Sequence, residues 1–195
     1  EGQAYGIALG ADNIHFDWLG KHVKKNLGPL QGTHTDLLYA AAGFDGIVKF
    51  PVLTNPSREY GASYSVANSA SQMVEVDCLS LSSIYGKLPD NSVDLLHIDI
   101  QGAEVDLIKD PAFAETISRT RFIMFGTHST DDLHRAVRAS LENNGFSIKI
   151  DWPRNSEIET FFGKIKTNDG ALFAVNKSVP FGEELEKLCD LSLPV

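Results

Sequence analysis

Cysteine is scarce in this chain: Cys78 and Cys189 are the two present in 195 residues. They are too few, and too far apart in sequence, for a disulfide framework or a zinc site, and both are read as ordinary thiols of a reducing compartment. Long hydrophobic runs are missing too. No apolar stretch approaches the roughly 20 residues a spanning helix needs. Basic residues are outnumbered, 17 Lys and Arg against 26 Asp and Glu, for a formal charge of −9. A general nucleic-acid binder needs a basic footprint, so that class is set aside. Neither a His-Glu-x-x-His nor a Cys-x-x-Cys spacing occurs, and no metal site is expected. A Gly-x-Gly-x-x-Gly turn is also missing, which removes the usual support for a nicotinamide-dependent oxidoreductase.

What remains is an ordinary globular balance, 43% hydrophobic and 22% charged, long enough for one core. Tyr5 to Gly10 reads as a short buried strand. Asp12 or Asn13 can cap a helix with Ile14, Trp18, Leu19 and Val23 on one side and Lys21, Lys24 and Lys25 near its end. Gly28-Pro29 stops it. Further strands are expected over residues 36–41 and 47–52, with a long surface excursion over 54–73. Residues 93–100 give the strongest strand signal, apolar on both faces and so suited to the middle of a parallel sheet. A helix from about Ala103 breaks at Pro111. Residues 122–125 form another strand, 131–144 an amphipathic helix closed by Gly145, and residues 146–152 and 171–175 the last two strands. The alternation of strand and helix argues for an open, mostly parallel α/β sheet with an antiparallel pair at one edge.

Ligands of open α/β sheets bind beyond the carboxyl ends of the strands. Three such ends carry small or polar residues: Gly10-Ala11-Asp12, Asp99 to Glu104, and Gly126 to Ser129. Asp99 is either a helix cap or a ligand carboxylate, with Glu104 improving the first helical turn. His97 shares a strand face with Asp99 and reads equally as a core residue. His128, in Gly126-Thr127-His128-Ser129, is better placed for proton transfer. His15, His22, His34 and His134 form no ligand spacing.

The segment Val76-Asp77-Cys78-Leu79-Ser80-Leu81, followed by Val93-Asp94-Leu95-Leu96-His97-Ile98-Asp99-Ile100-Gln101-Gly102-Ala103-Glu104, resembles the FkbM family of S-adenosylmethionine-dependent methyltransferases. Ala40-Ala41-Ala42-Gly43-Phe44-Asp45-Gly46, Tyr60-Gly61-Ala62-Ser63 and Gly126 to Ser129 add to it, so that the resemblance runs from about residue 4 to 176. It implies a Rossmann-like methyltransferase fold over 1–176, with 177–195 as a C-terminal tail. It also implies S-adenosylmethionine as cofactor and O-methylation of a hydroxyl on a small molecule or sugar in the cytoplasm. Asp99 is then a neighbour of the cofactor's methionine portion, and Ala41 and Ala42 lie beside the adenosine. Ala8 or Gly10 stands where the family prefers Glu for the ribose, with Asp12 as its substitute. His128 is the first candidate base and His97 the second, while Glu104 is structural. The family's opening strand and its Asp-x-Gly-Ala loop are not in the chain, which starts at Glu1 without Met. The resemblance therefore implies sequence upstream, or another segment filling that place; a degenerate, non-catalytic ligand-binding domain is the alternative. A Mg²⁺-dependent variant would use Asp99, with no second oxygen ligand at suitable spacing.

Overall fold

A computed structural model describes residues 4–53, 55, 72–90, 92–160 and 163–179. The chain divides into two compact units, Glu1–Asn91 and Ser92–Val195. Most of the expected excursion over 54–73, including Tyr60 to Ser63, lies outside the described residues, as does most of the tail.

In the first unit, strand β1 (Ala4–Leu9) pairs in parallel with β2 (Thr33–Leu38), and helix α1 (Asn13–Asn26) makes the crossover between them. Asp12 caps α1: its Oδ1 accepts from the Ile14 and His15 amides at 3.0 and 2.9 Å. Lys24 and Lys25 sit in the last turn, where the helix dipole favours positive charge. A second sheet in this unit has the order β3-β5-β4, built from β3 (Ala41–Gly43), β4 (Gly46–Pro51) and β5 (Met73–Ser80). β3 runs parallel to β5 and β4 antiparallel to it. Ala41, Val48 and Cys78 are buried together, with Ala11 against them. Asp45 ties the β3–β4 turn to helix α2 (Leu81–Tyr85), accepting from the Ser80 amide and from the Ser80 and Ser83 hydroxyls at 2.8 to 2.9 Å. Those three donors hold its carboxyl below the ordinary aspartate value.

The second unit is built on a four-stranded sheet of order β6-β7-β11-β8: β6 (Val93–Ile98), β7 (Thr120–Thr127), β8 (Phe146–Trp152) and β11 (Gly170–Asn176). β6 and β7 are parallel, joined through helices α3 (Glu104–Lys109) and α4 (Phe113–Ile117). β11 runs antiparallel to both β7 and β8, as the edge pattern in the sequence predicts. Helix α5 (Asp131–Asn143) turns Leu133, Val137 and Leu141 inward and lies against β7, β8 and β11. Ile123, Phe125, Leu172 and Ala174 are fully buried on the sheet. A hairpin, β9 (Glu157–Thr160) with β10 (Gly163–Lys166), precedes β11. Among the described residues no helix is long and apolar enough to cross a membrane.

Three expectations change. The sheets are mixed rather than mostly parallel: among the described residues β1–β2, β3–β5 and β6–β7 pair in parallel, and β4–β5, β7–β11, β8–β11 and β9–β10 antiparallel. Residues 122–125 are the middle of a strand that extends to Thr127, because Gly126 and Thr127 stay paired with Ala171 and Gly170. β6 is not a fully buried central strand. Among the described residues it is bonded to β7 alone, Leu95 is 57% exposed, and Ile98 is its one buried residue.

Thr130 starts α5, its hydroxyl accepting from the Leu133 amide at 3.1 Å. Thr130→Ala removes that cap, and we expect a loss of about 1 kcal/mol, read as a lower urea midpoint with an unchanged slope.

Candidate active site

The parallel pairing Ile98↔Phe125 brings the carboxyl ends of β6 and β7 side by side. Asp99 leaves β6 there, and His128 leaves β7 directly after Thr127. The chain then turns sharply into α3, with both Gln101 (φ 56°) and Gly102 (φ 96°) left-handed. Gly102 takes this conformation freely; Gln101, as a side-chain-bearing residue, takes it at some cost. Asp99 is not the helix cap: that position falls on Ala103, which makes no side-chain cap bond.

The turn aims Glu104 inward. It lies on the same helical face as Leu107, and both are buried, Glu104 with 0% exposure. Its Oε1 accepts from His128 Nδ1 at 2.6 Å. Its Oε2 is buried with no hydrogen-bond partner among the described residues. A carboxylate in such a place is costly unless paired with a cation or strong donor, and His128 is that partner.

On the other side of the ring, Nε2 lies 3.2 Å from Gln101 Nε2 and 3.3 Å from Asp99 Oδ1. Gln101 also donates to Asp99 Oδ1 at 3.0 Å, which fixes its amide with the NH₂ group inward, since a carboxylate can only accept. The two groups suit the two states of the imidazole. Neutral His128, protonated on Nδ1, presents a bare Nε2 that accepts from Gln101; the imidazolium presents an Nε2–H to Asp99. The hydrogen bond to Glu104 is the main cause that raises the His128 pKa above its ordinary value. Burial opposes it, and the charges of Glu104, Asp99 and Asp169 add to it.

Gly126 makes room for this ring. A Cβ there would stand 3.0 Å from His128 Cε1 and 3.6 Å from Asp99 Cγ. The residue is glycine for close approach rather than for turn chemistry alone.

The sequence-predicted residues divide between the units. Asp99 and His128 come together in the second, joined by Gln101 and Glu104, which the sequence reading had left out of the catalytic set. His97 is exposed on β6 in register with Met124, and takes no part in the network among the described residues. In the first unit Gly10 closes β1, its amide donating to the Leu38 carbonyl at 3.2 Å, with a virtual Cβ 3.4 Å from the Phe16 ring. Asp12 is the α1 cap, 7% exposed. Ala41 is buried in β3 and Ala42 partly so. Among the described residues no group of three His, Cys, Asp or Glu could hold a metal ion.

The histidine–carboxylate pair stands at adjoining strand ends, where ligands of open α/β sheets bind. A family model for the methyltransferase FkbM domain matches residues 17–148, and the chain belongs to that family. A protein of Jannaschia sp. (strain CCS1) named "Putative methyltransferase" is 28% identical over 169 residues, covering 76% of this chain. The chain spans 58% of that relative's length. A crystal structure of precorrin-6y C5,15-methyltransferase from Geobacter metallireducens GS-15 overlaps 87% of this chain and 65% of its own, at 13% identity and a TM-score of 0.41. That overlap is too loose to carry an argument about this chain.

Proposed function

We propose that the protein transfers a methyl group from S-adenosylmethionine to a hydroxyl of a small molecule or sugar, with a Rossmann-like arrangement of its strands and a cytoplasmic setting. The observation that carries the reading is the Glu104–His128 pair at the ends of β6 and β7. An alcohol is a poor nucleophile at neutral pH unless its proton is taken as it reacts. His128 Nε2 is the group that takes it. Glu104 holds the opposite proton on Nδ1 and stabilises the imidazolium that results, and Asp99 accepts from Nε2 once it is protonated. Gln101 keeps Nε2 bare beforehand and gives way to the acceptor hydroxyl.

The cofactor supplies an activated methyl on a cationic sulfonium. The donor set suits it: the Asp99 side chain is half exposed at a strand end, a carboxylate open to a cationic partner. The assignment of Gly10, Ala41, Ala42 and Asp12 to the adenosine side rests on the family resemblance alone. Because Asp12 already uses one oxygen to cap α1, it is the weakest member of the set, and it is the observation that favours the alternative of a non-catalytic binding domain.

Calorimetric titration of the full-length protein with S-adenosylmethionine should give saturable one-to-one binding, reduced by Asp99→Ala. Absence of binding by the full-length protein overturns the methyltransferase reading. Binding without transfer of a labelled methyl group to any hydroxyl acceptor of a broad panel favours the non-catalytic one.

A further inference from the structure

His128 is held from both chain directions by groups that the proton transfer above does not use. The residue before it, Thr127, is fully buried, and its Oγ1 lies 2.7 Å from His134 Nδ1. Across the imidazole, His134 Nε2 lies 2.8 Å from Asp151 Oδ1. Arg138 Nε completes the line, 3.2 Å from Asp151 Oδ2. The direction of the bonds follows from the inventory of donors. Asp151, as a carboxylate, only accepts, so His134 carries a proton on Nε2, and in the neutral ring Nδ1 is then bare and accepts from the Thr127 hydroxyl. Three elements, β7, α5 and β8, thus converge on one hydroxyl next in sequence to His128.

The residue after His128 is held separately. Ser129 has φ 78°, a left-handed conformation that a serine adopts at a cost. Its carbonyl accepts from Arg154 Nη1 at 2.5 Å, while Arg154 Nε is buried with no hydrogen-bond partner among the described residues. Part of the guanidinium has given up water to reach this carbonyl.

Neither arrangement is what a core would use for stability alone. A valine and a leucine would fill the Thr127–His134 space without any polar group to satisfy. The opposite strand has also been shaped for the pair. A Cβ on Gly170 would stand 2.4 Å from Thr127 Oγ1 and 2.8 Å from His134 Nδ1. Although Thr127, His134 and Asp151 form a hydroxyl–imidazole–carboxylate line, Thr127 has 0% exposure, so its hydroxyl reaches no substrate. Its effect falls on the backbone that carries His128.

We propose that His134, through Thr127, and Arg154, through Ser129, are positioning residues that clamp the two peptides flanking His128 and hold its ring on Glu104. A catalytic group must stay within about 0.5 Å of its working position, and the 2.6 Å contact to Glu104 leaves little slack. The proposal rests on His128 being the functional base, but its test needs neither cofactor nor acceptor.

The test is a ¹⁵N NMR titration of the histidine imidazoles in the full-length protein. Thr127→Val keeps the shape and branching and removes the hydroxyl; Arg154→Met removes the guanidinium of a partly exposed residue. In the folded variants we expect the His128 midpoint to fall by about half a pH unit or more toward the ordinary histidine value of about 6.5. Its Nδ1–H should also exchange faster with water, and Thr127→Ser should restore both properties. A folded Thr127→Val and a folded Arg154→Met that leave the His128 midpoint and Nδ1–H signal as in wild type overturn the clamp, even if both lower the melting temperature. If Thr127→Val does not fold, Arg154→Met and the Thr127→Ser pattern decide. A failed methyl-transfer assay in wild type would refute the function proposed above while leaving this measurement intact.

Discussion

His128→Asn should lower methyl-transfer turnover by roughly 10²- to 10⁴-fold, the usual contribution of a positioned general base. Asparagine is the informative replacement. Its amide nitrogen falls near the position of Nδ1 and can still donate to Glu104, but nothing remains at Nε2 to take a proton. The loss should appear in kcat, with cofactor affinity measured by calorimetry changed little. The wild-type rate carries a companion signature. Because Glu104 raises the His128 pKa, the bare-Nε2 form becomes abundant only as pH rises through that raised value. Turnover should therefore climb on the alkaline side of 6.5, and this limb should vanish in His128→Asn. A variant within threefold of wild type, on a substrate turned over well by wild type, would remove His128 from the chemistry.

The second large effect concerns folding. His128→Ala takes away the one partner, among the described residues, of a carboxyl that has no exposure and whose second oxygen has none there either. Breaking a buried charged pair from one side costs about 3–5 kcal/mol, most of it the stranded group rather than the lost attraction. We expect a large drop in the urea midpoint. Adding Glu104→Leu to His128→Ala should recover more than half of it, since the double variant has nothing left to desolvate. The sign with pH is set by histidine. His128 has a folded pKa above its unfolded one, so its contribution is fully present below about 6.5 and fades as pH rises through the folded value. The comparison that isolates this contribution is wild type against His128→Ala with Glu104→Leu, in which no stranded carboxyl titrates. That gap should narrow as pH rises through the folded value, and a gap that does not narrow would mean that the His128 charge adds nothing to the fold.

The sequence made His128 visible because a small-residue turn after a buried strand marks a carboxyl end. Asp99 was visible for the same reason. Glu104 was not, although its sign was there: three residues before Leu107, it sits on the inward face of its helix, where a carboxylate has to find a partner. What the sequence could not supply was which partner. Glu104 and His128 are 24 residues apart, and they meet because β6 and β7 pair in parallel with Ile98 opposite Phe125. Register across strands is a tertiary fact. His134 was hidden in the same way, since a histidine on a polar-looking helix shows no sign of Thr127 or Asp151.

The β9–β10 hairpin was missed for a different reason. Glu157 faces Lys166 and Glu159 faces Lys164, and the one apolar pair between them, Ile158 facing Ile165, is too short an alternation to announce two strands. β6 misled in the opposite direction, since its apolar run implied two covered faces while Leu95 remains exposed.

Gly170 ties these residues together across generations. A side chain at this position and a hydrogen bond between Thr127 and His134 exclude each other, because the same few cubic ångströms would have to hold both. The three positions are therefore expected to vary as one character. A lineage that acquires a side chain there must first lose the pair and also shift the Trp152 carbonyl, which stands 3.0 Å from an added Cβ. Comparing related chains at three columns would then tell which of them keep a braced histidine at the end of this strand and which have let it go.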